Sequence, residues 1–151
     1  MTETPSWIGE PLSAKQMFAL MLCGVTGLMI PGLQPLLLGG LAEAGRVAPS
    51  ALGRIATAEL LVMGLTAGLA GSFLKAKRLK TWAIGALASL AILDAITPLA
   101  RGETVTLVRA LAGLPSGILV WLTIAMIART PTPERWAGAY VTTQTAGQFL
   151  L

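Results

Sequence analysis

The sequence predicts an all-α protein, a polytopic bundle of transmembrane helices. Hydrophobic residues make up 54% of its 151 residues and charged residues only 12%, and its mean hydropathy is +0.74. Soluble domains are about 25% charged, so this chain has too little charge to cover a water-facing surface. Its apolar residues also form runs of about 20, the length that crosses the roughly 30 Å core of a bilayer.

The order of polar and apolar residues predicts a cytoplasmic tail at residues 1–14 and a transmembrane domain at residues 15–151. In the first span, Pro31 and Pro35 remove backbone hydrogen bonds. They predict either a break that exposes backbone groups to a cavity or a kinked helix end. The fifth run is about four residues short of a full crossing, so we expect the chain to stop inside a helix. The predicted spans are residues 15–38, 52–74, 81–100, 104–128 and, incomplete, 136–151.

The orientation follows from a basic segment between the second and third spans. Residues 71–80 read GSFLKAKRLK and carry Lys75, Lys77, Arg78 and Lys80. Short loops rich in Lys and Arg stay on the cytoplasmic side of a membrane. The sequence therefore predicts a multi-pass protein of the plasma (inner) membrane with a cytoplasmic N-terminus.

The sequence lacks the residues on which most functions of soluble proteins depend. The sequence contains no His and a single Cys, Cys23, which excludes an intramolecular disulfide and argues against most zinc sites. There is no G-x-S-x-G and no phosphate-binding Gly loop followed by Lys-Ser/Thr. The net charge of +4 comes mainly from short loops, which favours membrane orientation over nucleic-acid binding. We expect no enzyme activity, no cofactor and no metal. The lipid bilayer is the expected main partner.

Three charged residues lie five or more residues in from both ends of their predicted spans, namely Glu59, Asp94 and Arg109. At 1.5 Å per residue each lies about 7–11 Å below the outer surface. An unpaired charge at such a depth costs several kcal/mol, so pairing is expected. The hypothesis is a coupling or gating site in which Arg109 holds a carboxylate, preferably Glu59, ionised in one state and releases it in another. A static ion pair, or side chains that reach to the nearby surface, is the alternative.

Small residues recur at helical spacing in two spans. Gly64 and Gly68 form one small-xxx-small pair, and Gly113 and Gly117 form another. Glycines at this spacing let two transmembrane helices approach closely. The four glycines are therefore predicted to be helix-packing positions.

The layout of spans and loops resembles the N-terminal part of a major facilitator superfamily transporter. That family has a loop between its second and third helices that reads G-x-L-A-D-R-x-G-R-K. Here Gly71 matches the first position and Lys80 the last, while Lys75 stands where the family has Asp. The fourth span is similar to the family motif R-x-x-x-G-x-x-x-G through Arg109, Gly113 and Gly117. The resemblance covers residues 15–151, about four and a half of the family's twelve helices.

The resemblance implies secondary active transport of a small molecule, with a proton as the coupling ion and efflux as a suggested direction. It also implies a missing C-terminal half, or a second copy, as a partner, because both halves of such transporters form the substrate path. Helices one, four and five line the cavity in that family, so Gln34, Thr142 and Gln144 become candidate cavity residues. Hydrogen bonding between helices is the alternative for these side chains.

Two other functions compete with this one. A small four-helix multidrug carrier acting as a dimer would need an acid on its first helix, and residues 15–38 contain none. A non-transport membrane subunit, or an inactive fragment, would need only helix packing. The buried charges of the second, third and fourth spans favour transport over such a subunit.

Overall fold

The computed structural model of the chain describes residues 13–74 and 78–150. The predicted cytoplasmic tail up to residue 12 and Lys75 of the basic loop lie outside these residues. All regular structure within them is helical, which confirms the all-α prediction. The helices are α1 (Ala14–Gly32), α2 (Gln34–Glu43), α3 (Leu52–Phe73), α4 (Leu79–Ile96), α5 (Glu103–Ile127) and α6 (Pro133–Phe149), with 3-10 turns at Pro49–Ala51 and Thr97–Leu99.

Four stretches of these helices are long and apolar enough to cross a membrane. They are Lys15–Gly32, Pro49–Phe73, Leu79–Leu99 and Glu103–Ile127. The first four predicted spans each overlap one of these stretches. Helix α6 has 17 residues and begins at Pro133, a residue favoured in the first helical turn because it lacks an N–H that would need a partner.

The first predicted span is divided into two helices. Leu33, at φ −99° and ψ 11°, separates α1 from α2. Pro35 has no N–H to continue the hydrogen-bond ladder, and the N–H of Leu33 is shared between the carbonyls of Met29 and Ile30 at 3.1 and 3.0 Å. Helix α2 then runs to Glu43, past the end predicted at residue 38, because its residues are apolar enough to pack. The break places Gln34 at the first position of α2.

Helix α5 is the central element. Half of its membrane-length stretch is buried, compared with 17% for the stretches that contain α3 and α4. It packs against α3, α4 and α1, while α6 packs mainly against α1. Side chains on α5 can therefore reach several neighbours at once.

The bundle has two ends. Residues 44–48 and 100–102 form one of them, here called the Gly102 end, and residues 128–132 belong to the other, the Arg129 end. At the Gly102 end, Gly45 and Gly102 have positive φ values of 65° and 56°, a conformation that favours glycine. The N–H of Gly102 donates to the carbonyl of Arg46 at 2.8 Å. Beneath this link lies an apolar cluster of Leu38, Leu41, Val47, Ile55, Ala100, Val105 and Val108.

Candidate ionic site between α2, α3, α4 and α5

Arg109 of α5 is completely buried, with 0% of its surface exposed. Its guanidinium carries five N–H donors in a planar fork and no acceptor, so a buried arginine needs several oxygens around it. Two carboxylates and one hydroxyl supply them. They come from α3, from α4 and from the 3-10 turn that follows α4.

Glu59 of α3 is the main partner of Arg109 and is also 0% exposed. The Nε of Arg109 donates to Glu59 Oε2 at 2.9 Å, and Nη2 donates to Oε1. This two-pronged contact is the strongest geometry for an arginine–carboxylate pair. Gln34 adds a third donor, because its Nε2 lies 2.8 Å from Glu59 Oε2.

Asp94 of α4 is the second acid and lies closer to the surface. Nη1 of Arg109 donates to Asp94 Oδ1 at 2.6 Å, but 28% of the Asp94 side chain is exposed. Thr97 borders the same guanidinium nitrogen at 3.4 Å, and its own hydroxyl donates to the carbonyl of Leu93 at 2.9 Å. The structure therefore brings together Glu59, Asp94 and Arg109, the three ionisable groups expected at one depth.

The glycine four residues after Arg109 explains why α3 comes close enough for this contact. A Cβ on Gly113 would lie 2.5 Å from the backbone oxygen of Glu59 and 2.9 Å from the nitrogen of Met63. One turn further, a Cβ on Gly117 would lie 2.5 Å from the oxygen of Met63. Residues at i and i+4 share one helix face. The R-x-x-x-G-x-x-x-G spacing thus puts the cation and the close-approach surface on the same side of α5.

The cluster has an unbalanced charge. Two carboxylates and one guanidinium give a formal charge of −1 when all three groups are ionised. A net charge in a low-dielectric interior is costly. One carboxylate would be enough for a purely structural ion pair with Arg109. The second carboxylate therefore makes the cluster a candidate functional site.

The other predicted site residues lie elsewhere. On α6, Thr142 is exposed and Gln144 is partly buried, and neither contacts the ionic cluster. Gln34, predicted to line a cavity, is 6% exposed and bonded to Glu59.

The two glycine pairs differ in their surroundings. Gly113 and Gly117 contact α3 closely, whereas a Cβ on Gly64 or Gly68 would meet nothing within 4 Å. Both α3 glycines lie on its exposed face, so within the described part of the chain they have no helix against them. In the basic loop motif, Gly71 lies in the last turn of α3 and Lys80 in the first turn of α4, and both are exposed.

A second polar contact region, absent from the sequence-based predictions, joins α1 to α5 and α6. The Tyr140 hydroxyl donates to the carbonyl of Gly24 at 3.2 Å, and Gln148 Nε2 donates to the carbonyl of Leu28 at 3.0 Å. Gly24 permits this close approach, since a Cβ at that position would lie 2.8 Å from the Tyr140 ring. The recurring glycines of α1, Gly24, Gly27 and Gly32, are the sequence signal that could have revealed this contact.

Comparisons with models of known families, with characterised proteins and with solved structures find no match for this chain. The function is therefore inferred from the contacts within the bundle.

Proposed function

We propose that this chain carries out secondary active transport of a small molecule, with Glu59, Asp94 and Arg109 as the coupling and gating groups. The observation that carries the proposal is that one buried guanidinium holds two carboxylates from two other helices. Such a group can favour one arrangement of three helices while both acids are ionised and another when one acid is neutral. This is the requirement for linking ion binding to a change of conformation.

The position of the cluster also supports gating. The apolar cluster that includes Leu38, Val47 and Ile55 lies at the Gly102 end, on one side of the ionic groups. Helix α2 joins the two layers, since it contributes Leu38 to the apolar cluster and Gln34 to the contact with Glu59. A movement of α2 would therefore change the apolar layer and the ionic layer together.

The membrane setting completes the proposal. With the basic segments at residues 75–80 and 129–135 on the cytoplasmic side, the Gly102 end faces outward in the plasma (inner) membrane. By its resemblance to major facilitator superfamily transporters, the chain would form a substrate path together with a C-terminal half or a second copy. The exposed Thr142 and the partly buried Gln144 of α6 would line that path, and a proton would be the coupling ion.

The test uses the full chain in proteoliposomes that contain a pH-sensitive dye, with ethidium as the trial substrate. Under an imposed membrane potential, we expect proton movement that ethidium changes and that empty liposomes lack. Arg109→Lys keeps the positive charge but loses the fork that binds Glu59 at two points, so it should abolish the coupled movement. Arg54→Lys is the matched control, because Arg54 forms an exposed ion pair with Glu103 between the same two helices.

Two results would contradict the proposal. In these proteoliposomes the chain can pair only with a second copy of itself. If the wild-type chain then moves no more protons than empty liposomes, with and without ethidium, transport by such a pair is rejected, and the static role of the ion pair and a non-transport membrane subunit become the better explanation. If Arg109→Lys and Arg54→Lys behave alike, the buried cluster is not the coupling device.

A further inference from the structure

The two carboxylates that bind Arg109 differ in how many hydrogen-bond donors they already have. Glu59 accepts from Nε and Nη2 of Arg109 and from Gln34 Nε2, so both of its oxygens are occupied. Asp94 accepts only from Nη1 of Arg109, through Oδ1. Among the described residues no donor contacts Asp94 Oδ2. A proton on Glu59 would displace one of the N–H groups that face it, whereas a proton on Asp94 Oδ2 displaces none.

The two carboxylates also differ in their exposure at the surface of the bundle. Glu59 has no exposed side-chain surface, whereas 28% of the Asp94 side chain is exposed. A proton at the surface of the bundle can therefore reach Asp94 without opening the contact between α3 and α5. One proton on Asp94 changes the cluster from a formal −1 to neutral and leaves the two-pronged Glu59–Arg109 pair intact, whereas the same proton on Glu59 would disrupt that pair.

From these two differences we infer that Asp94, and not Glu59, is the carboxyl group that takes up the coupling proton. Glu59 stays ionised as the permanent counter-ion of Arg109. In the balanced step, a proton from water adds to Asp94 Oδ2, and the ion pair between Oδ1 and Arg109 Nη1 becomes a hydrogen bond from the charged guanidinium to a neutral carboxyl group. The charged groups that face Asp94 from the elements packed against it are Arg109 of α5 and, beyond it, Glu59 of α3. The inference rests on the proposed transport function for its meaning but not for its test.

Proton uptake at Asp94 would act mainly on the contact between α4 and α5. On the same two helices lies an open surface groove of about 430 Å³, lined by residues that include Ser89, Leu93, Leu111 and Pro115. Leu93 lies directly before Asp94 in α4. The groove therefore borders the α4–α5 contact that proton uptake at Asp94 would weaken.

The chain offers a direct test, because Asp94 is its single aspartate. Cell-free synthesis with carboxyl-¹³C aspartate labels this one group, and infrared spectra of the full chain in lipid vesicles then separate its protonated C=O band from those of the glutamates. We expect the labelled band to appear on acidification, with the intensity of one carboxyl per chain, while circular dichroism shows intact helices. The spectrum of the Glu59→Gln variant should still show every protonated C=O band that the wild-type chain shows in the region of the unlabelled glutamates.

The inference is overturned if the labelled carboxyl stays ionised at every pH at which the helices remain folded. It is also overturned if Glu59→Gln removes a protonated glutamate band in that range. The measurement needs neither substrate nor gradient, so it is independent of the transport assay. Proton uptake at Asp94 without coupled proton movement would keep Asp94 as the carboxyl group of the cluster that takes up a proton and would reject the proposed function. Coupled transport with an ionised Asp94 would do the reverse.

Discussion

At the scale of single residues, the buried cluster depends on Arg109. In the described part of the chain, its guanidinium is the only positive group that contacts the carboxylates of Glu59 and Asp94. Removing one partner of a buried ion pair is costly because the remaining charge stays buried without compensation. The loss of unfolding free energy caused by each substitution therefore depends on how much unpaired charge the substitution leaves.

Arg109→Ala leaves two uncompensated carboxylates and is expected to lower the free energy of unfolding by about 3–5 kcal/mol. Glu59→Ala leaves Arg109 paired with Asp94 and should cost less. The double variant should cost clearly less than the sum of the two, because each change removes a charge that the other leaves unpaired. Reversible unfolding in mixed micelles measures all three values.

Arg54→Ala provides the comparison, because Arg54 forms an exposed ion pair with Glu103 and exposed pairs contribute about 0–1 kcal/mol. If the Arg109 and Glu59 effects simply add, the two residues do not act as partners, and the contact seen between them has no energetic weight.

At the scale of helices, the close approach of α3 to α5 depends on two glycines of α5. A side chain at Gly113 or Gly117 would meet the backbone of α3 at 2.5 Å, and backbone cannot move aside as the end of a flexible side chain can. Gly64 and Gly68 on α3 have open space instead. The same sequence pattern thus serves a contact within the chain in α5 but not in α3.

We predict that Gly113→Ala forces α3 away from α5 and lengthens the bonds between Arg109 and Glu59. The expected cost in unfolding free energy is about 1–3 kcal/mol, the range for overpacking a filled interior. Gly64→Ala should be neutral or stabilising, because alanine favours a helix by about 1 kcal/mol over glycine where there is room. Both variants also belong in the proteoliposome assay, where only Gly113→Ala should reduce coupled proton movement. Equal stability of the two variants would show that close packing at Gly113 does not hold the site together.

At the scale of the whole molecule, the sequence predicts the helical class and the rough position of the long helices. A run of about 20 apolar residues rarely forms anything other than a membrane-spanning helix. The sequence also identifies the ionic residues, since charges in such runs are rare. It does not reveal that Thr97 borders Arg109 or that Gln34 binds Glu59, because polar residues near helix ends are common and contacts between distant helices leave no periodic signal. For the α1 contact with Tyr140 and Gln148, the glycines of α1 are the one sequence signal, since a backbone carbonyl that accepts a hydrogen bond leaves no mark in a sequence.

Orientation is a property of the whole bundle, and the distribution of basic residues predicts it. Placing the Arg129 end in the cytoplasm and the Gly102 end outside follows the excess of Lys and Arg in cytoplasmic loops. The chain suits a labelling test because Cys23 is its single cysteine. In a Cys23→Ala background, Ser50→Cys at the Gly102 end and Thr132→Cys at the Arg129 end place a thiol at exposed positions. A membrane-impermeant maleimide added to intact cells should label the first variant, and the second only after permeabilisation. The reverse pattern would place the 28% exposed Asp94 side chain nearer the cytoplasmic face. The coupling proton would then enter Asp94 from the cytoplasm, and the proposed direction of gating would be inverted.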